Sequence, residues 1–168
     1  PIFFGWPENG TILDIGCGTG RAVPLMRQAR VQSYYGIDPS RASIEYCREN
    51  LQYDGYDFTE GAIQSIGTNF ADCFSGFIAL TTLMHLPRED LEEALISLRK
   101  SLKAGSLGMI SAPIPKEEGE LTWRNEQYDM TLTLFTPREL ETGFISAGFD
   151  IIETKNGDGM FLMKLIAT

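Results

Sequence analysis

Along this chain, short apolar runs alternate with longer stretches whose apolar residues recur every three or four positions, the order expected of strands and helices in turn. Thr11 to Ile15, apolar apart from Thr11 and one carboxylate, Asp14, reads as a buried strand of a parallel sheet. A helix is predicted from about Gly20 to Ala29, after a turn that holds Gly16, Gly18 and Gly20. Tyr34 to Asp38 reads as a second strand, with Ser40 capping a helix over 41–51. Tyr56 to Thr59 and Cys73 to Leu80 are the third and fourth strands, and Thr81 to Pro87 turns at the sheet edge. Leu91, Leu95, Leu98 and Leu102 give one apolar face to a helix from about Arg88 to Lys103, with Gly105 as its stop. Leu107 to Ala112 is a fifth strand, ended by Pro113 and Pro115. Thr136-Pro137-Arg138-Glu139 supplies a cap, a first-turn proline and a capping-box glutamate for a helix to about Ala147, with Gly148 its terminator. Phe149 to Thr154 and Met160 to Ala167, joined by Asn156-Gly157-Asp158-Gly159, predict a closing β-hairpin.

This order predicts a doubly wound α/β sheet with a hairpin at one edge, and such sheets bind ligands beyond the carboxyl ends of their strands. The glycines after the first strand run Gly-x-Gly-x-Gly, not the Gly-x-Gly-x-x-Gly of dinucleotide sites. They let the backbone bend sharply and approach a bound molecule, and the helix start beyond them is expected to offer N–H donors. Asp38 ends the neighbouring strand, where a carboxylate accepts from both hydroxyls of a ribose.

Taken together, Asp14 two residues before Gly16-x-Gly18-x-Gly20, and Asp38 at the end of the next strand, resemble the signature of the class I S-adenosylmethionine-dependent methyltransferases. Gly61-Ala62-Ile63-Gln64-Ser65-Ile66 resembles that family's adenine-side loop, and Phe74 to Pro87 its fourth strand and the turn beyond. Leu98 to Ser106 is similar to its segment before the fifth strand, and Phe135 to Leu140 with Ala147-Gly148-Phe149 to the approach to its last two strands. The resemblance implies a Rossmann-like seven-stranded sheet of order 3-2-1-4-5-7-6, the last strand antiparallel. It also implies S-adenosylmethionine as cofactor, held by Asp14, Gly16, Cys17, Gly18, Gly20, Asp38, Pro39, Ala62 and Ile63. Asp14 is then expected to fix the glycine turn and the cofactor amine, or, as a buried strand-end acid, simply to tie down the loop. Three departures stand out: Ala62 where the family often carries an adenine-accepting Asp, which leaves recognition of that edge to the backbone of Ile63; Ser75 in place of an acid; and Ala104-Gly105-Ser106 without proline. The family also brings one or two helices before the first strand, so one domain over 1–168 with those helices missing, a trimmed or partial chain, is expected.

Charge narrows the partners: 23 acidic against 14 basic residues give a formal net charge of −9, which opposes long-range attraction to nucleic acid. A small-molecule acceptor is therefore expected, with no nucleic-acid partner. No run of eighteen apolar residues suits a membrane span. The three cysteines form no Cys-x-x-Cys pair and their odd number fits a reducing compartment, so a cytoplasmic location is expected. His85, the only histidine, falls in the turn after the fourth strand, where a base can take a proton from an oxygen or nitrogen acceptor, or where a turn residue can simply bond to backbone. No metal site is readable. Trp6, Tyr34 and Tyr35 are aromatic candidates for the pocket or for the core. Residues 116 to 135, with Glu117, Glu118 and Glu120 and then Trp123, Arg124 and Tyr128, are a long connection at the ligand edge, either a lid or a solvated excursion. Three functions stay open: a methyltransferase, a methyltransferase-like domain that binds cofactor without turnover, and a nicotinamide-dependent oxidoreductase, which the glycine spacing opposes.

Overall fold

Strand β1 (Thr11–Ile15) lies between β2 (Ser33–Asp38) and β4 (Phe74–Leu80), and all three run parallel. The computed structural model describes residues 5–7, 9–115, 122–125 and 130–168. On the far side of β2 comes β3 (Tyr56–Glu60); beyond β4 come β5 (Leu102–Pro113), β9 (Met160–Ala167) and β8 (Phe149–Gly157). Counted among the strands of this sheet alone, the order β3-β2-β1-β4-β5-β9-β8 is the expected 3-2-1-4-5-7-6. The antiparallel strand is β9, paired with β5 on one side and β8 on the other. Its turn is made by Asp158 and Gly159, both at positive φ (49° and 73°), as a tight hairpin of this handedness requires.

Alternation along the strands sends successive residues to opposite faces, and each face has its own helices. Leu13, Ile15 and Ile37 pack with α3 (Ile63–Asn69), α4 (Leu91–Ser101) and α5 (Pro137–Ser146). Ile12, Tyr34, Phe58 and Ile78 pack with α1 (Val23–Gln28) and α2 (Arg41–Asn50). Thr136 caps α5 as expected: its side chain accepts from the Glu139 N–H (3.1 Å), and Glu139 accepts in return from the Thr136 N–H (2.7 Å). Arg88 pairs with Glu139 and donates to the Leu134 carbonyl (2.6 Å), tying the segment after β4 to the start of α5.

Several sequence expectations are corrected here. Helix α1 begins at Val23, not Gly20, because three positive-φ glycines keep the preceding residues in turns. Ser101 ends α4, and β5 begins at Leu102; Gly105, at φ 79°, is a kink inside β5 and not a helix stop. The short α3 was not expected; Ile63 and Ile66 are its buried residues, three apart, too brief a period to register beside Gly67. Within the 116–135 connection, β6 (Thr122–Asn125) pairs antiparallel with β7 (Met130–Thr133), also unexpected. Glu117, Glu118, Glu120 and Tyr128 lie outside the described residues.

Under α5 the core is aromatic. Phe144 stacks on Phe77 (centroids 6.4 Å apart) and meets Phe149 edge-on (5.3 Å), and all three are buried. Truncating a buried Phe removes this contact and leaves a cavity. Phe144→Ala is expected to lower stability by about 3–5 kcal/mol in urea unfolding, while the exposed Ile145→Ala changes it by less than about 1 kcal/mol.

Candidate cofactor site

The turn after β1 is held by its neighbour strand. Gly16 and Cys17 N–H groups both donate to the Ile37 carbonyl (2.8 and 3.1 Å), and the Gly18 N–H donates to Asp38 Oδ2 (2.8 Å). Gly20 N–H closes back on the Cys17 carbonyl (2.9 Å). These four donors face the protein, so the expected supply of N–H groups at a helix start is largely spent inside the turn. Each glycine has its own reason. A Cβ on Gly16 (φ 66°) would lie 2.4 Å from the Thr82 side chain, and one on Gly20 (φ 79°) 2.2 Å from Leu51. At Gly18 (φ 53°) a Cβ would meet nothing within 4 Å, so only there does the turn face open space.

That space is a crevice of about 790 Å³ across the carboxyl ends of β1, β2 and β4, within the range of small-molecule sites, roughly 300–1,000 Å³. It brings together Asp14, Gly16, Cys17, Gly18, Asp38, Pro39, Ala62, Ile63 and His85. Gly20 is not on its wall; it packs against α2 through Leu51 and Cys47. Asp38 is half-buried, and its other oxygen accepts from the Ser40 N–H (2.8 Å). A carboxylate has about four acceptor positions, which leaves two for a ligand. His85 sits in a 3-10 turn (Leu83–His85), exposed on the crevice rim, its backbone N–H donating to the Thr82 carbonyl (3.0 Å).

Asp14 is 3% exposed, and its partner is the Tyr34 hydroxyl, which donates to it. The register explains the pairing: Asp14 lies opposite Gly36, and Tyr34 sits two residues earlier on the same face. Any side chain at Gly36 would crowd Phe58 (2.8 Å) and Cys17 Sγ (2.9 Å). Burial pushes the Asp14 carboxyl up to about 7; the Tyr34 hydrogen bond opposes the rise, and the Asp38 charge adds to it. Burial, together with the Asp14 charge, also pushes the Cys17 thiol and the Tyr34 phenol up, and both stay protonated. Tyr34 is thus a core residue that serves the crevice from behind, while Tyr35 packs on Phe70 and Phe74 on the other face.

Other wall residues were not named one by one in the sequence reading. Thr81 and Thr82 follow β4, in the turn over 81–87 expected at the sheet edge, and Thr81 adopts φ 57°, uncommon for a β-branched residue. Ser111 and Met130 arrive from β5 and β7, and no local pattern marks them. Thr133 Oγ1 donates to the Leu86 carbonyl (2.7 Å), which fixes the β6–β7 ribbon at the crevice mouth. Among the described residues no cluster of three His, Cys, Asp or Glu could hold a metal ion, and no helix is long and apolar enough to cross a membrane.

Residues 12–105, more than half of the chain, match the family model described as a methyltransferase domain. The chain belongs to the class I S-adenosylmethionine-dependent methyltransferases. Its cofactor is S-adenosylmethionine. This methyltransferase is similar in fold to a SAM-dependent methyltransferase from Methanosarcina mazei (20% identity, TM-score 0.77, covering 95% of this chain and 93% of that one). A similar fold is found in the glycopeptide N-methyltransferase MtfA in complex with S-adenosylmethionine (15% identity, TM-score 0.77, covering 96% and 89%). A curated relative, the mRNA cap guanine-N(7) methyltransferase of Cryptococcus neoformans, is 22% identical over 152 residues, covering 77% of this chain. The chain spans 22% of that relative's length.

The crevice suits this cofactor on its own terms: an open glycine face, a half-buried carboxylate with acceptor positions to spare, and apolar walls. Between the ordinary carboxyl value of 3.8 and about 7, the folded chain keeps a proton on Asp14 that the unfolded chain has released. Stability from this group is therefore full below that window and falls as pH rises through it, by at most about 1.4 kcal/mol per pH unit. Urea unfolding from pH 5 to 8 is expected to show this decline in the wild type and a flatter profile in Asp14→Asn.

Proposed function

We propose that this chain is a single methyltransferase domain that transfers the S-adenosylmethionine methyl group to a small-molecule acceptor. The observation that carries the reading is the convergence of the open Gly18 face, Asp14, Asp38 and Ile63 on one crevice. In this reading the free acceptor positions of Asp38 take the ribose hydroxyls, and the glycine turn admits the methionine part. Pro39, Ala62 and Ile63 flank the base, and Cys17 supports the turn from below, its thiol donating to the Gly18 carbonyl (3.7 Å). Gly20 contributes by letting α2 approach. Asp14 lies nearest the amino-acid end, where a cation offsets the cost of its buried charge.

The cofactor supplies a methyl group on a sulfonium, already a good leaving group, so the protein's task is chiefly to align and to keep water out. His85, exposed at the rim, takes the proton released by an oxygen or nitrogen acceptor. The net charge of −9 favours a neutral or cationic acceptor over a nucleic acid. The free cysteines, Cys17, Cys47 and Cys73, support a reducing compartment such as the cytoplasm.

Isothermal titration with S-adenosylhomocysteine is expected to give micromolar binding, weakened at least about tenfold in Asp38→Ala, which loses charge-assisted hydrogen bonds. Binding of a nicotinamide dinucleotide with none of adenosylhomocysteine would overturn the reading. In methyl-transfer assays over small-molecule acceptors, with a guanine cap analogue as the opposing arm because of the curated relative, His85→Ala should lower kcat about a hundredfold and leave adenosylhomocysteine affinity unchanged. Cofactor binding with no transfer to any acceptor would favour the turnover-free alternative.

A further inference from the structure

Along the carboxyl edge of the sheet, Asp14 ends β1, Asp38 ends β2, and the segment 61–64 follows β3; the order β3-β2-β1 puts Asp38 between the other two. The Gly61 N–H donates to the Asp38 carbonyl (3.0 Å), so the outer segment is fixed against the acid. An elongated nucleoside with its sugar at Asp38 then has its charged end toward Asp14 and its base toward 61–64.

The second residue of that outer segment cannot read a base. Ala62 has a methyl side chain, and its carbonyl already accepts from the Ser65 N–H (3.1 Å) and hydroxyl (2.9 Å). Two positions on, Gln64 lines the crevice, and its Oε1 is shielded from water without a hydrogen-bond partner among the described residues. A shielded acceptor with no donor is destabilising, and natural structures keep few of them. The residue's amide rotates about a broad terminal torsion, so its oxygen can turn to the wall that the side chain already lines. Pro39 and Ile63 offer flat apolar contact to a ring beside it.

We propose that Gln64 is the base-reading residue of this crevice, its side-chain carbonyl accepting from the exocyclic amine of adenine in the place that Ala62 leaves without an acceptor. The inference rests on the methyltransferase reading above and adds a specificity-determining residue to it. A site that accepts from an amine rejects an analogue carrying a carbonyl there, because two acceptors then face each other.

The test compares S-adenosylhomocysteine with S-inosylhomocysteine, which has a carbonyl in place of that amine, by isothermal titration. The wild type should prefer the adenosyl compound by about tenfold. Gln64→Leu should reduce this preference to about twofold or less, mainly by weakening the adenosyl compound. Gln64→Glu, which keeps an acceptor, should retain most of it, and thermal melts of both variants check that they fold. An unchanged preference in Gln64→Leu, or no preference in the wild type, overturns the assignment and leaves the methyltransferase reading standing. Failure of the wild type to bind either compound overturns that reading itself.

Discussion

Three N–H groups of the first turn, those of Gly16, Cys17 and Gly18, are bonded to the last two residues of β2, and the crevice exists because of them. Two go to the Ile37 carbonyl and one to the Asp38 carboxylate. A glycine-rich turn on its own has many conformations, and ordering it is entropically costly. Stapling it to the adjacent strand selects one of them, with Gly18 facing outward and Asp38 held at the rim. The same carboxylate therefore shapes the turn and stands where a sugar would lie.

Behind this arrangement is a buried acid. Asp14 lies under the turn with Tyr34 as its hydrogen-bond partner, and the absence of a side chain at Gly36, opposite Asp14, leaves room for Phe58 and Cys17 beside it. Most buried carboxyls are costly when ionised, and one hydroxyl does not offset the cost, which is why the proton stays to about 7. Stability and charge at this point are opposed: the fold favours the neutral form, while a cationic ligand favours the charged one.

Much of this was legible from residue order. The strand Thr11–Ile15, the acid ending β2, the capping box at Thr136 and the closing hairpin all stand where local pattern put them, since each rests on neighbours in sequence. What failed were boundaries set by competition. Nothing local says that Gly105 sits inside a strand and not at the end of a helix; the pairing of β5 with β4 decides it. Nor did pattern reveal α3, whose two buried isoleucines become a helix only against α4.

The amino-acid sequence alone determined the strand–turn–strand unit and its pair of acids, because spacing of glycines and carboxylates along one chain sets which backbone shapes and charges are available. Only the tertiary structure decided what those groups do to each other. It turned the Gly16, Cys17 and Gly18 N–H groups inward and Gly20 toward α2, gave Asp14 a tyrosine twenty residues away, and brought Met130 and Ser111 to the same wall as His85. Those outcomes depend on sheet register and on which face each side chain takes, and both are settled by packing between segments distant in sequence.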